Sequence, residues 1–135
     1  MATTPLPLQR GLIDTPVLIA YRDGVPDAVT FFDDMQRLGR PDCSQITALA
    51  LLVWCQDALD LFVVRGFLTL LTVHAVTANT MRRAQRILES LPPPCGLTPD
   101  DAVVAATAIE QSLPLYTLDP ARFANLPGLV AVKPY

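Results

Sequence analysis

The chain has 135 residues, 51% of them hydrophobic, and a formal net charge of −3. With a mean hydropathy of +0.36 it is too apolar to be disordered, and it is long enough for one domain with a buried core. The acidic balance, with a pI of about 4.9, argues against a broad basic surface for nonspecific nucleic-acid binding, although bound divalent ions would neutralise an acidic cleft.

The three cysteines, Cys43, Cys55 and Cys95, form no Cys-x-x-Cys pair, so neither a disulfide framework nor a zinc set is expected. Buried reduced thiols are the expectation. His74 is the sole histidine, which leaves no material for a multi-histidine metal site, and it reads as an ordinary strand or loop residue. The longest apolar stretch, Ile46 to Cys55, is too short to span a bilayer. Met1 to Arg10 has no apolar core of signal-peptide length. A cytoplasmic protein without membrane attachment is expected.

Gly11 to Ile13 reads as a short buried strand. Asp14 caps a helix opened by Thr15-Pro16, where proline's missing N–H costs nothing, and Gly24 ends it. A second helix is predicted from about Pro26 to Leu38, with Ala28, Phe31, Phe32, Met35 and Leu38 on one stripe. Asp42 to Gln45 suggests a second strand. Ile46 to about Leu59 reads as a helix hydrophobic nearly all round, and hence central. Leu61 to Leu70 suits a helix or a strand, and Leu70 to Val73 suits a third strand. Thr77 caps a helix from Ala78 to Leu91 that places Arg82, Arg83 and Arg86 outward and Met81, Ala84, Ile87 and Leu88 inward. The triple proline Pro92 to Pro94 stops it. Thr98 caps the next helix, with Pro99 first and Asp101 three residues after the cap, in the manner of a capping box. Leu113 to Tyr116 and Leu129 to Val132 read as the last two strands. Met1 to Gln9 and the triple proline are the candidate flexible stretches.

Strands alternating with helices, without hairpin signals, imply a three-layer α/β/α domain. Its central sheet is mostly parallel, with about five strands. In such sheets ligand groups gather at the carboxyl ends of the strands. Asp14, Asp101 and Asp119 each stand where an apolar run meets a helix start. Taken singly, each is an ordinary cap. Taken together, they suit a hard cation such as Mg²⁺ or Mn²⁺, which prefers oxygen ligands.

Several phrases occur in a fixed order: Gly11-Leu12-Ile13-Asp14-Thr15-Pro16, Ser44-Gln45-Ile46-Thr47, Asp101-Ala102-Val103-Val104-Ala105-Ala106-Thr107-Ala108, Leu113-Pro114-Leu115-Tyr116-Thr117-Leu118-Asp119, and Phe123 with Leu126-Pro127-Gly128-Leu129. In this the chain resembles the PIN domains, and within them the VapC-type ribonuclease toxins of bacterial toxin–antitoxin pairs. The resemblance runs from Gly11 to Tyr135 and is most specific between Leu97 and Gly128.

The resemblance implies a Mg²⁺- or Mn²⁺-dependent endoribonuclease acting on RNA and bound by an antitoxin protein. A homodimer is common for this architecture. Asp14, Asp101 and Asp119 match the family's metal-site positions and so carry the catalytic role. Thr15 and Thr117 match supporting or phosphate-contacting hydroxyls, and Asp100 is a spare carboxylate. One departure stands out. The family places a glutamate three residues after the threonine of Ser-x-x-Thr; here that residue is Ala50. The next acid, Asp57, lies about two helical turns, or ~10 Å, further on. The chain is therefore expected to be either a nuclease of weakened activity or a catalytically degenerate PIN-fold module that binds RNA or protein. The exposed faces around Phe31, Phe32, Trp54 and Leu59 are candidates for a partner's helix, with core packing as the alternative for each.

Overall fold

The computed structural model describes residues 7–135. Five short strands, β1 (Leu12–Ile13), β2 (Asp42–Ser44), β3 (Thr72–His74), β4 (Leu115–Tyr116) and β5 (Ala131–Val132), form one sheet in the order β3-β2-β1-β4-β5. Every pairing is parallel, so each strand connects to the next by a crossover, as the helix-strand alternation in sequence requires. Six helices make these crossovers or flank them: α1 (Thr15–Arg22), α2 (Pro26–Leu38), α3 (Gln45–Val53), α4 (Ala58–Leu68), α5 (Ala78–Ser90) and α6 (Pro99–Glu110). A 3-10 helix, Pro120–Phe123, precedes β5.

Side chains alternate across the pleat, so each strand feeds two cores. Leu12 and Leu115 pack with Ala84 and Ile87 of α5 and with the alanines and valines of α6. Ile13, Cys43 and Tyr116 pack on the other side with Val17, Leu18, Phe31, Phe32, Met35 and Val64. The small residues Ala102, Ala105, Ala106 and Ala108, all fully buried, let α6 lie close against the sheet. On the opposite layer the ring of Phe32 meets those of Tyr21 at 4.3 Å and Phe67 at 5.3 Å. Gly11 is required by a close approach: a Cβ there would meet the Tyr116 ring at 2.6 Å. That ring's hydroxyl donates to Gln9 O at 2.9 Å and accepts from Gln9 N–H at 3.1 Å. Gln9 is thereby tied to the sheet rather than free, while Met1 to Leu6 of the expected flexible stretch lie outside the described residues.

Four expectations are corrected. The apolar run after Ser44 does not continue to Leu59: α3 ends at Val53, and Asp57 caps α4 by accepting the Asp60 N–H at 2.8 Å. A local N-cap bond there outcompetes helix continuation through the Ala- and Leu-rich run. Nor is α3 buried all round; Thr47, Ala48 and Leu51 face inward, whereas Leu49 and Val53 are exposed. Met81 is exposed rather than inward. Cys43 is buried, but Cys55 and Cys95 are only half-buried. The segment from Leu61, which suited either element, is helical to Leu68.

The chain leaves β1 toward β2 and β3 on one side and returns to place β4 and β5 on the other. The crevice between the carboxyl ends of β1 and β4 is thus a topological switch point, where ligand sites form in open α/β sheets.

Candidate active site

Asp14 and Thr117 directly follow β1 and β4 and so stand at that switch point. The sheet ladder fixes both backbones: Asp14 N–H donates to Tyr116 O at 2.9 Å, and Thr117 N–H donates to Val132 O at 2.9 Å. Their side chains then meet. The Thr117 hydroxyl donates to Asp14 Oδ2 at 2.9 Å, and the Thr15 N–H donates to Asp14 Oδ1 at 2.9 Å. Asp14 is only 4% exposed. Among the described residues, its direct hydrogen-bond donors are both neutral.

That environment raises the pKa of Asp14 from its ordinary value. Burial is the main cause; the nearby Asp101 carboxylate adds to it. The hydrogen bonds from Thr117 and Thr15 and the charge of Arg122 oppose it. A buried carboxylate left without a direct cationic partner is costly, and such groups cluster at functional sites.

Asp101 arrives from the first turn of α6. The capping box expected from Thr98-Pro99-Asp100-Asp101 is formed: Thr98 Oγ1 accepts the Asp101 N–H at 3.1 Å, and Asp101 Oδ2 accepts the Thr98 N–H at 2.9 Å. The same Oδ2 also accepts from the Arg122 guanidinium. Asp100 is exposed beside it. Asp119 departs from the expected cap. Its side chain makes no capping bond to the 3-10 helix it precedes, and the residue is exposed. Its backbone N–H instead donates to Thr117 Oγ1 at 3.3 Å. Asp119 therefore helps to hold the threonine that holds Asp14.

The α3 side of the site is built on hydroxyls. Thr15 and the fully buried Thr47 share a hydrogen bond of 2.7 Å. Ser44 caps α3 and also accepts from the Thr107 hydroxyl of α6 at 3.0 Å. Ala50 lies one turn beyond Thr47 on the same helix face, and is half-buried. Asp57 does not substitute for an acid there, because its carboxylate is engaged at the start of α4.

Among the described residues, no group of three or more acidic, histidine or cysteine side chains is gathered closely enough to hold a metal ion. The donor chemistry nevertheless fits one hard cation. Asp14 offers two oxygens that each accept a single hydrogen bond, and Asp101 is a second carboxylate near enough to act on it electrostatically. One or two carboxylates completed by water suffice for Mg²⁺. The arrangement does not fit an enclosed cage of acids.

Two features escaped the sequence reading. Arg122 is one; its only local signal is its place in the turn that also holds Asp119. The other is a second buried aspartate. Asp42, fully buried in β2, accepts from Arg10 Nε at 3.0 Å and Nη2 at 2.8 Å, and His74 Nε2 lies 2.8 Å from its Oδ1. His74 is thus a structural partner. The adjacent Cys43 thiol is pushed up to about 12, chiefly by burial and then by Asp42, so it is inert as a nucleophile.

No protein-family model matches the sequence, and no curated protein does. Solved structures do. A toxin-antitoxin complex from Klebsiella pneumoniae superposes with a TM-score of 0.75 at 24% identity, covering 93% of this chain and 98% of the other. DNA-bound VapBC from Salmonella typhimurium gives a TM-score of 0.75 at 20% identity, over 95% and 100% of the two chains. VapBC-5 from Mycobacterium tuberculosis gives 0.64 at 18% identity, over 92% and 98%. The chain therefore has the PIN-type α/β fold, with an all-parallel five-stranded sheet. The solved structures it is similar to include toxin–antitoxin complexes.

Proposed function

We propose that this protein is the toxin-type partner of a toxin–antitoxin pair and a divalent-cation-dependent endoribonuclease with a reduced ligand set. The observation that carries the reading is Asp14: a buried carboxylate at the switch point, held rigidly by neutral donors and left without a direct cationic partner. Asp14 and Asp101 would hold Mg²⁺ or Mn²⁺, with Asp119 at the rim. When bound, the ion supplies charge neutralisation for a phosphodiester and lowers the pKa of an attacking water. The chain's own groups do the positioning. Thr117 and the Thr15 N–H fix both oxygens of Asp14, so no reorganisation is needed as charge develops. The Thr15 hydroxyl and the Arg122 guanidinium are donors suited to phosphate oxygens.

An antitoxin partner is supported by the surface of α3 and α4. Phe31 and Phe32 are core residues, but Trp54, Leu59, Phe62 and Val63 are 58%, 70%, 77% and 56% exposed. A patch of this kind fits the apolar face of a partner helix. A homodimer is compatible with the same surface. Among the described residues, no helix is long and apolar enough to cross a membrane.

The test is RNA cleavage by purified protein in Mn²⁺, with and without chelator. Slow cleavage abolished by chelator is the expected result. A second reading, a catalytically degenerate module that binds RNA or protein, is favoured by Ala50 and by the Arg122 contact to Asp101. It is the conclusion if the protein binds RNA but cleaves none in either condition.

A further inference from the structure

Arg122 sits where its charge alters the proposed cation site. The 3-10 helix that carries it is anchored by Phe123, only 1% exposed, and by the Arg122 N–H donating to Asp119 O at 3.3 Å. The guanidinium lies 5.6 Å above the Phe123 ring and donates to Asp101 Oδ2. The side chain is 38% exposed and that of Asp101 is 13% exposed, so the pair sits at the mouth of the site rather than on open surface. Arg122 is also close enough to act on the charge of Asp14.

We propose that Arg122 is the site's resident cation: it occupies Asp101, and a divalent ion binds only in competition with it. This rests on the reading that Asp14 and Asp101 form the metal site, and it adds what controls that site. The physical basis is simple. Asp101 Oδ2 already accepts the Thr98 N–H, and Arg122 donates to the same oxygen. A divalent ion approaching Asp101 meets a fixed positive charge on the same oxygen. Ala50 supplies no carboxylate to offset that repulsion. Asp101 is therefore paired without metal while Asp14 is not, and the site opens to a divalent ion when Arg122 swings toward solvent. Its other N–H donors then become available to an RNA phosphate.

The test is isothermal titration of MnCl₂ into the full chain and its variants. Arg122→Gln, which keeps most of the side-chain length, is expected to tighten Mn²⁺ binding roughly tenfold, the order expected from removing one nearby unit charge. Arg122→Lys keeps the charge and is expected to bind like the wild type, which separates charge from packing. Adding Asp101→Asn to Arg122→Gln is expected to erase the gain. Arg86→Gln, on the exposed face of α5, is expected to change nothing. Equal or weaker Mn²⁺ binding by Arg122→Gln overturns the proposal. If the wild type meanwhile binds Mn²⁺ and Asp14→Asn abolishes that binding, the site itself stands and only the role of Arg122 falls. If neither the wild type nor Arg122→Gln binds Mn²⁺, both fall together.

Discussion

Asp14 and Asp42 belong to neighbouring strands of one sheet and are both almost sealed from solvent, at 4% and 0% exposure. Asp42 is neutralised in place by two hydrogen bonds from the Arg10 guanidinium, and His74 Nε2 lies 2.8 Å from its Oδ1. Asp14 receives only a backbone N–H and a threonine hydroxyl. A buried carboxylate that the fold neutralises is part of the fold. One that the fold buries without a cationic partner is kept at a cost to stability, and its oxygens are available to a ligand.

The largest expected effect is on catalysis. Asp14→Asn is expected to lower Mn²⁺-dependent RNA cleavage at least a hundredfold, about 3 kcal/mol of transition-state stabilisation. Undiminished cleavage by that variant would point to a contaminating nuclease. Asp42→Asn breaks the comparison from the other side. Removing one member of a buried ion pair is strongly destabilising. Because Arg10 remains solvated, at 64% side-chain exposure, the expected loss is about 2 kcal/mol in urea unfolding, with cleavage retained wherever the variant is folded.

The fold was legible in sequence where single residues carry local physics. Pro16 and Pro99 in helix first turns, the Thr98 and Asp101 capping box, and the alternation of apolar strands with helices all predicted what is observed. The break between α3 and α4 was hidden because Ala, Leu and Val continue across it, and only the Asp57 cap reveals it. The position of Asp14 was readable because strand end and helix start are adjacent in the chain. The placement of Asp119 was not. The backbone at Asp119 has φ −131 and ψ 75 and leads into a 3-10 helix, so the carboxylate is not delivered as a helical cap would be. The Arg10, Asp42 and His74 cluster was invisible for another reason. Each contact spans 32 residues and depends on the order of strands, which no local pattern encodes.

Smaller effects sharpen the contrast. Ala50→Glu is expected to improve Mn²⁺ affinity roughly tenfold by calorimetry, one added carboxylate's worth of attraction. No gain would show that position 50 does not face the Asp14 site. Phe62→Asp on the exposed face of α4 is expected to change unfolding free energy by no more than about 0.5 kcal/mol while weakening association with an antitoxin-type helix.

The most direct test compares thermal stability of the two Asn variants against the wild type across pH. Burial raises the Asp14 pKa in the folded state, so the folded protein favours the protonated form. Its contribution is fully present below the ordinary carboxylate range and is lost as pH rises through the raised value. Asp14→Asn removes that loss. At pH 7 it is expected to melt above the wild type, with the gap closing as pH falls through the carboxylate range, while Asp42→Asn melts well below at pH 7. If Asp14→Asn is destabilised as strongly as Asp42→Asn at pH 7, Asp14 is a structural residue and the account of the site is wrong.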